Sequence, residues 1–322
     1  MKLDGRILYL TEDTEQLSAQ LGGDDLRLSV DADMHYGVNT DAMISGRACT
    51  LGYTPEILGP YFLENFKETV AKDDVRTGGF QVIVGGDAYG SGSSREVAVV
   101  AHQGAGIQLV VARSFQRIFQ ENMVYAGMPF TTKYDVLDQL RAGADVDVST
   151  FFDELPPFFN QVANAGGLLP YANDWLAGTV DPWYETETEA RPLNVVEKIV
   201  AARAWAGGRP GEGNGPRFGI SSVGPGDQVL CRAGFRGMHE YTAGMVMDLY
   251  ENAFGRVPVQ DPDLCAAFED HFVLIDQPSV PDAVKASRLG PARQLAAEMV
   301  EACESHGIRL HGPGRAHQAG VC

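Results

Sequence analysis

Between Gly79 and Thr132 two short apolar runs alternate with two helical patterns, and this alternation leaves few folds open to the chain. Phe80-Gln81-Val82-Ile83-Val84 reads as a buried strand and Val97 to Gly104 as a helix. Ile107 to Ala112 reads as a second strand and Phe115 to Ala126 as a second helix. Strand, helix and strand at this spacing make a parallel βαβ unit, because a parallel return needs a crossover of about a dozen residues or more. Gly106 and Gly127 stand where the two helices should stop, at a position that favours a residue free to take positive φ. The predicted fold class is therefore α/β.

The composition changes further along. Residues 174–191 are acidic, aperiodic and broken by Pro182, as expected of a linker between globular stretches 1–173 and 192–322. In the second stretch helices are expected over Val195 to Trp205, Ala243 to Phe254 and Gly290 to His306. Strands are expected over Asp227 to Arg232 and His271 to Ile275, and a glycine-rich loop over 207–217.

Charge and cysteine content exclude several functions. The 322 residues carry 25 Lys and Arg against 43 Asp and Glu, a formal net charge of −18, with no basic stripe for a nucleic acid. No apolar run nears the roughly 20 residues of a membrane-spanning helix. The opening Met1 to Gln16 lacks the basic-then-apolar layout of a signal peptide, so a cytoplasmic location is expected. The five cysteines, Cys49, Cys231, Cys265, Cys303 and Cys322, are scattered and never spaced C-x-x-C. They form neither a disulfide framework nor a self-contained metal site, and no metal ligand is expected in this chain.

The chemistry concentrates in Tyr89-Gly90-Ser91-Gly92-Ser93-Ser94-Arg95-Glu96, a glycine-bearing loop between a strand and a helix. Glycines let the backbone approach a ligand, and the free N–H groups of the helix start attract an anion. Arg95 adds a planar fork suited to a carboxylate. Ser93 and Ser94 can bond that anion or act on its α-carbon; simple helix capping is the competing explanation. A dinucleotide loop is a weaker match, since Arg95 stands in place of the third glycine of G-x-G-x-x-G.

From Asn39 to Asn173 the chain resembles the small subunit of 3-isopropylmalate dehydratase, the swivelling domain of the aconitase family. The resemblance rests on Asn39-Thr40-Asp41 with Gly46-Arg47, the Gly90 to Glu96 loop, Ala112-Arg113-Ser114-Phe115-Gln116-Arg117-Ile118-Phe119, Asn122, Gly127 and Ala165-Gly166-Gly167-Leu168. Residues from about Pro192 to Cys322 resemble the beginning of the large subunit. There the matching residues are Glu197-Lys198-Ile199, Pro225-Gly226-Asp227, Met238-His239-Glu240-Tyr241-Thr242, Asp270-His271 and Gly307-Ile308-Arg309 ahead of Gly320-Val321-Cys322. The resemblance implies an aconitase-type swivelling β/β/α domain followed by a partial large-subunit α/β domain. It also implies a hydro-lyase or isomerase subunit acting on a hydroxy di- or tricarboxylate, and a large-subunit-like partner chain that completes the active site. The family's [4Fe–4S] cluster would be held by that partner, because no segment here resembles a cluster-ligand loop.

The resemblance also implies roles. Ser94 matches the family's catalytic serine, which exchanges the α-carbon proton; Arg95 is the carboxylate clamp, with Ser93 bonding the same carboxylate. Asp270-His271 matches an acid–histidine pair in which the histidine protonates the departing hydroxyl, a task that needs a bend at the strand end because neighbours in a strand face opposite ways. His239 and Thr242 fall at substrate-contacting positions, although His239 with Glu240 can equally cap the next helix. Arg47 is a second clamp candidate, Asn39-Thr40-Asp41 a turn, and His102, His306 and His317 are expected at the surface. Val97 stands where the family commonly has histidine, and the segment Ala142 to Phe152 is short, so the substrate stays open. Two other functions fit the residues: a cluster-free dehydratase or lyase of specialised metabolism using Ser94, Arg95 and His271, and a non-catalytic anion-binding scaffold subunit.

Overall fold

A computed structural model describes residues 1–92, 95–209, 211–270, 272–273 and 275–312. The chain divides into two compact units, Met1–Asp174 and Trp175–Cys322, with the boundary inside the helix Leu168–Ala177. Both units are α/β with parallel sheets.

The first unit is built on a four-stranded sheet in sequence order: β1 (Arg6–Tyr9), β2 (Phe80–Gly85), β3 (Leu109–Ala112) and β4 (Phe130–Thr131), all parallel. Val82 pairs with Leu109 and Val84 with Val111. These four residues share one core with Ile7, Tyr9 and Leu137, since side chains two apart on a strand lie on the same face. The alternate residues Leu8, Ile83 and Val110 are fully buried as well. A strand covered on both faces reads as an unbroken apolar run, and this is why β2 and β3 were visible in the sequence.

The crossover helices are Glu96–Gly104 and Arg117–Tyr125, within two residues of their expected bounds. Gly106 and Gly127 follow their ends with φ of 90° and 65°. At Gly127 a Cβ would also lie 2.1 Å from the carbonyl oxygen of Gly166, so the close crossing of these two backbone segments requires glycine.

The second unit differs more from expectation. Its sheet is β5 (Arg236–His239), β6 (Cys265–Phe268) and β7 (Arg309–His311), parallel and in that order. Helices Glu240–Phe254 and Asp282–His306 pack together, and Ala243, Cys265, Ala267, Met299 and Cys303 form the core. Asp227 to Arg232 is not a strand. Gln228 and Cys231 each make one isolated bridge, to Glu185 and Ala204, too few to build a ladder. Of the strand expected over His271 to Ile275, Phe272, Val273 and Ile275 lie in bend and turn, since the buried run Cys265-Ala266-Ala267-Phe268 takes the central place upstream; His271 and Leu274 lie outside the described residues. The helix expected over Val195 to Trp205 stops at Arg203, because Ala204 and Trp205 pair with Cys231 and Phe218 instead. The helix expected from Gly290 begins at Asp282 and contains Pro291.

Replacing Gly127 by alanine should combine a positive-φ penalty with a backbone clash. The Gly127→Ala chain is expected to lose about 2–3 kcal/mol of unfolding free energy, read from the urea midpoint at unchanged m value.

Candidate functional site

In the first unit the loop after β2 is tied down by backbone hydrogen bonds on both sides. Tyr89 N–H donates to Ser114 O (3.0 Å), Gly90 N–H to Val38 O (2.8 Å) and Thr40 N–H to Ser91 O (2.9 Å). The Ser91 hydroxyl donates to Gly37 O (2.9 Å). Gly90 has φ of 82°, and a Cβ there would lie 2.2 Å from Phe119 Cγ. The loop therefore passes too close to the helix Arg117–Tyr125 for any side chain at that position. Asn39, expected in a turn, caps the helix Thr40–Met43 by accepting the Ala42 N–H at 2.8 Å.

Ser93 and Ser94 lie outside the described residues. Arg95, the next residue, is the N-cap of the helix Glu96–Gly104. Its guanidinium pairs with the Asp41 carboxylate and reaches Ile44 O at 3.4 Å. The Asp41 side chain is 63% exposed and that of Arg95 25%. Such an exposed pair contributes at most about 1 kcal/mol, so an incoming carboxylate can take over the guanidinium at little cost. Burial pushes the carboxyl of Glu96 above the ordinary range.

His102 is not at the surface, as expected from sequence, but fully buried on the helix behind this loop. Its Nδ1 lies 2.7 Å from Ala98 O and its Nε2 2.7 Å from the Tyr89 hydroxyl. A carbonyl only accepts, so Nδ1 carries the proton and Nε2 accepts from Tyr89. Both groups are neutral: burial lowers the histidine pKa from 6.5 to about 4 and raises that of the tyrosine. Phe62 and Phe119 pack on the imidazole. The residue that opens the loop is thus fastened to the helix that follows it. A histidine on an otherwise apolar helix, Val97 to Ala101, was the sequence signal for this burial.

In the second unit the notable groups gather beyond the carboxyl ends of β5 and β6. His239 ends β5 and begins the helix Glu240–Phe254 without a side-chain cap bond. Its ring stacks with that of Tyr241, and the Thr242 hydroxyl donates to His239 O at 3.3 Å. Asp270 lies two residues past the end of β6, and His271 is outside the described residues. Ligand atoms of His239, Glu240 and Asp270 lie within 4.8 Å of one another, so these three can hold a metal ion. Glu240 is fully buried and accepts the N–H groups of Asp270 (3.0 Å) and Phe272 (2.7 Å). Sequence reasoning missed this role, since nothing local to Glu240 announces partners some thirty residues downstream. Burial and the charge of Glu240 raise the carboxyl of Glu269. His306 is also buried rather than at the surface, with Nε2 3.4 Å from Glu251 Oε1. His317 lies outside the described residues.

A [4Fe–4S] cluster requires converging thiolates. Among the described residues no three cysteines meet: Cys49 is in the first unit, Cys265 and Cys303 share the core of the second, and Cys231 is exposed. Burial pushes the Cys303 thiol up to about 11 and raises that of Cys231, both away from the thiolate a metal needs. These donors do not fit the cluster.

Comparison with known proteins finds relatives of part of this chain. A model of the aconitase C-terminal domain matches residues 65–133. The small subunit of isopropylmalate/citramalate isomerase from Methanocaldococcus jannaschii is 34% identical over 155 residues, 44% of this chain and 89% of that protein. Aconitase AMT8 from Alternaria alternata is 48% identical over 91 residues, 28% of this chain and 11% of that protein. A crystal structure of 3-isopropylmalate dehydratase from Methanocaldococcus jannaschii is 29% identical, covering 43% of this chain and 88% of that one at a TM-score of 0.32.

The buried neutral imidazole predicts a pH dependence. His102 binds its proton near pH 6.5 when unfolded and near pH 4 when folded, so the unfolded state takes up protons first as pH falls. Stability from this residue is complete above about pH 6.5 and is lost on acidification toward pH 4. Between pH 7 and pH 5 the loss should be about 2 kcal/mol, read from urea unfolding, and a His102→Gln chain should lack that component.

Proposed function

The chain belongs to the aconitase superfamily, as a hydro-lyase of the 3-isopropylmalate dehydratase small-subunit type, and on that premise we propose that it is a subunit that dehydrates and rehydrates a hydroxy di- or tricarboxylate. The observation that carries this reading is Arg95 at the mouth of the tied Gly90–Gly92 loop, its guanidinium held, among the described residues, by the exposed Asp41 and one carbonyl. A substrate carboxylate replaces Asp41 on the guanidinium, with the Ser93 hydroxyl donating to the same group. Ser94 takes the proton from the α-carbon, the C–H electron pair becomes the new double bond, and the hydroxyl leaves from the neighbouring carbon. The second unit is assigned the other half of the reaction: His271, oriented by Asp270, gives a proton to the departing hydroxyl so that it leaves as water. His239 and Thr242 contact the substrate.

The active site is completed by a large-subunit-like partner chain in a cytoplasmic hetero-oligomer, and the [4Fe–4S] cluster belongs to that partner. What supports this assignment is the small-subunit character of the relatives and the scatter of the described cysteines, no three of which meet.

The chain purified with its large-subunit-like partner should carry iron and turn over one of a panel of hydroxy dicarboxylates that includes isopropylmalate and citramalate. Ser94→Ala should lower kcat by about 10²–10⁴. Arg95→Lys should raise KM about tenfold or more, because an ammonium cannot reproduce two-point binding. A fully active complex without iron would remove the cluster from the scheme, and full turnover by Ser94→Ala would remove the base.

A further inference from the structure

The bend after β6 presents two backbone N–H groups, from Asp270 and Phe272, to a single carboxylate. Backbone N–H groups that converge on one point favour an anion there, and here the group they meet is the carboxylate of Glu240. Each carboxylate oxygen takes one N–H, Oε2 from Asp270 at 3.0 Å and Oε1 from Phe272 at 2.7 Å. The carboxylate has no exposure to solvent. A buried carboxylate is tolerated only where charge-assisted hydrogen bonds replace its water, and these two bonds supply that replacement. Glu240 is also the first residue of a 15-residue helix, where the partial positive charge of the amino end favours an anion.

The connection is long in sequence and short in space. Glu240 follows β5 directly, and the bend follows the neighbouring strand β6. One carboxylate thus links the start of the helix to the residues on either side of position 271. We propose that Glu240 is a positioning residue: it holds the chain at Asp270 and at Phe272, so that the Asp270 carboxylate presents one arrangement to the substrate. This inference rests on the reading of Asp270 and His271 as the proton-delivering pair, but the fixing of the bend is measurable without it. With both its oxygens engaged by amides, Glu240 has a use that does not require a bound metal at His239, Glu240 and Asp270.

Glu240→Gln keeps the shape but turns one N–H acceptor into an N–H donor, while Glu240→Asp keeps the charge and shortens the reach. The full chain with its partner should be measured by amide hydrogen exchange over residues 268–276 and by steady-state turnover. In Glu240→Gln, exchange in the bend should speed up by about tenfold or more, and kcat should fall by a similar factor with KM little changed. Glu240→Asp should lie between this variant and the native chain in both readouts, which also guards against a glutamine variant that fails to fold. Unchanged exchange overturns the inference, as does faster exchange with unaltered kcat. If the native complex turns over no hydroxy acid, the proposed reaction fails, and exchange alone then decides whether Glu240 holds the bend.

Discussion

A strand buried on both faces must satisfy its whole backbone within the sheet, and in the first unit β2 meets this demand with parallel neighbours, β1 on one side and β3 on the other. Parallel pairing forces each connection to cross the sheet, and the crossover from β2 to β3 contains both the glycine-bearing loop and the helix Glu96–Gly104. The loop therefore leaves the carboxyl end of a central strand, where ligands gather in open α/β sheets. Its exit path is held by segment 37–40 on one side and Ser114 on the other. Arg95 is delivered to the helix start as a consequence of this topology.

The two units handle buried polar groups in different ways. Behind the first loop, Tyr89 and His102 are buried as neutral partners, and desolvation keeps both uncharged. In the second unit the buried carboxylate of Glu240 is satisfied by amides on a neighbouring segment, as a polar group shut off from water requires. Both arrangements use an internal side chain to hold a segment that follows a parallel strand. The contrast with Arg95 and Asp41 is instructive: that pair is partly exposed and contributes little, which suits the exchange of partners proposed for Arg95.

Much of the first unit was legible in the residues. Unbroken apolar runs marked β2 and β3, and Gly106 and Gly127 marked the helix ends, because both signals come from local requirements of burial and dihedral angle. The Tyr89 to Gly92 turn and the helix start at Glu96 were legible for the same reason, since strand, glycines and helix follow one another directly. The strands of the second unit were not. Cys265-Ala266-Ala267-Phe268 is short and made of small residues, and it becomes a strand through its two neighbours rather than its own pattern. The opposite error occurred at Asp227 to Arg232, where a strand-like pattern found only single bridges.

The chain of amino acids alone settled the α/β class and the order of strand, glycine-bearing turn and helix around Gly90, since each follows from residue type and spacing over a short range. Folding decided that Arg95 rests on Asp41, that His102 is buried against Tyr89, and that Glu240 grips the bend after β6. Those partners are separated by between thirteen and fifty-four residues, and a hydrogen bond requires an approach of about 3 Å that sequence spacing does not encode.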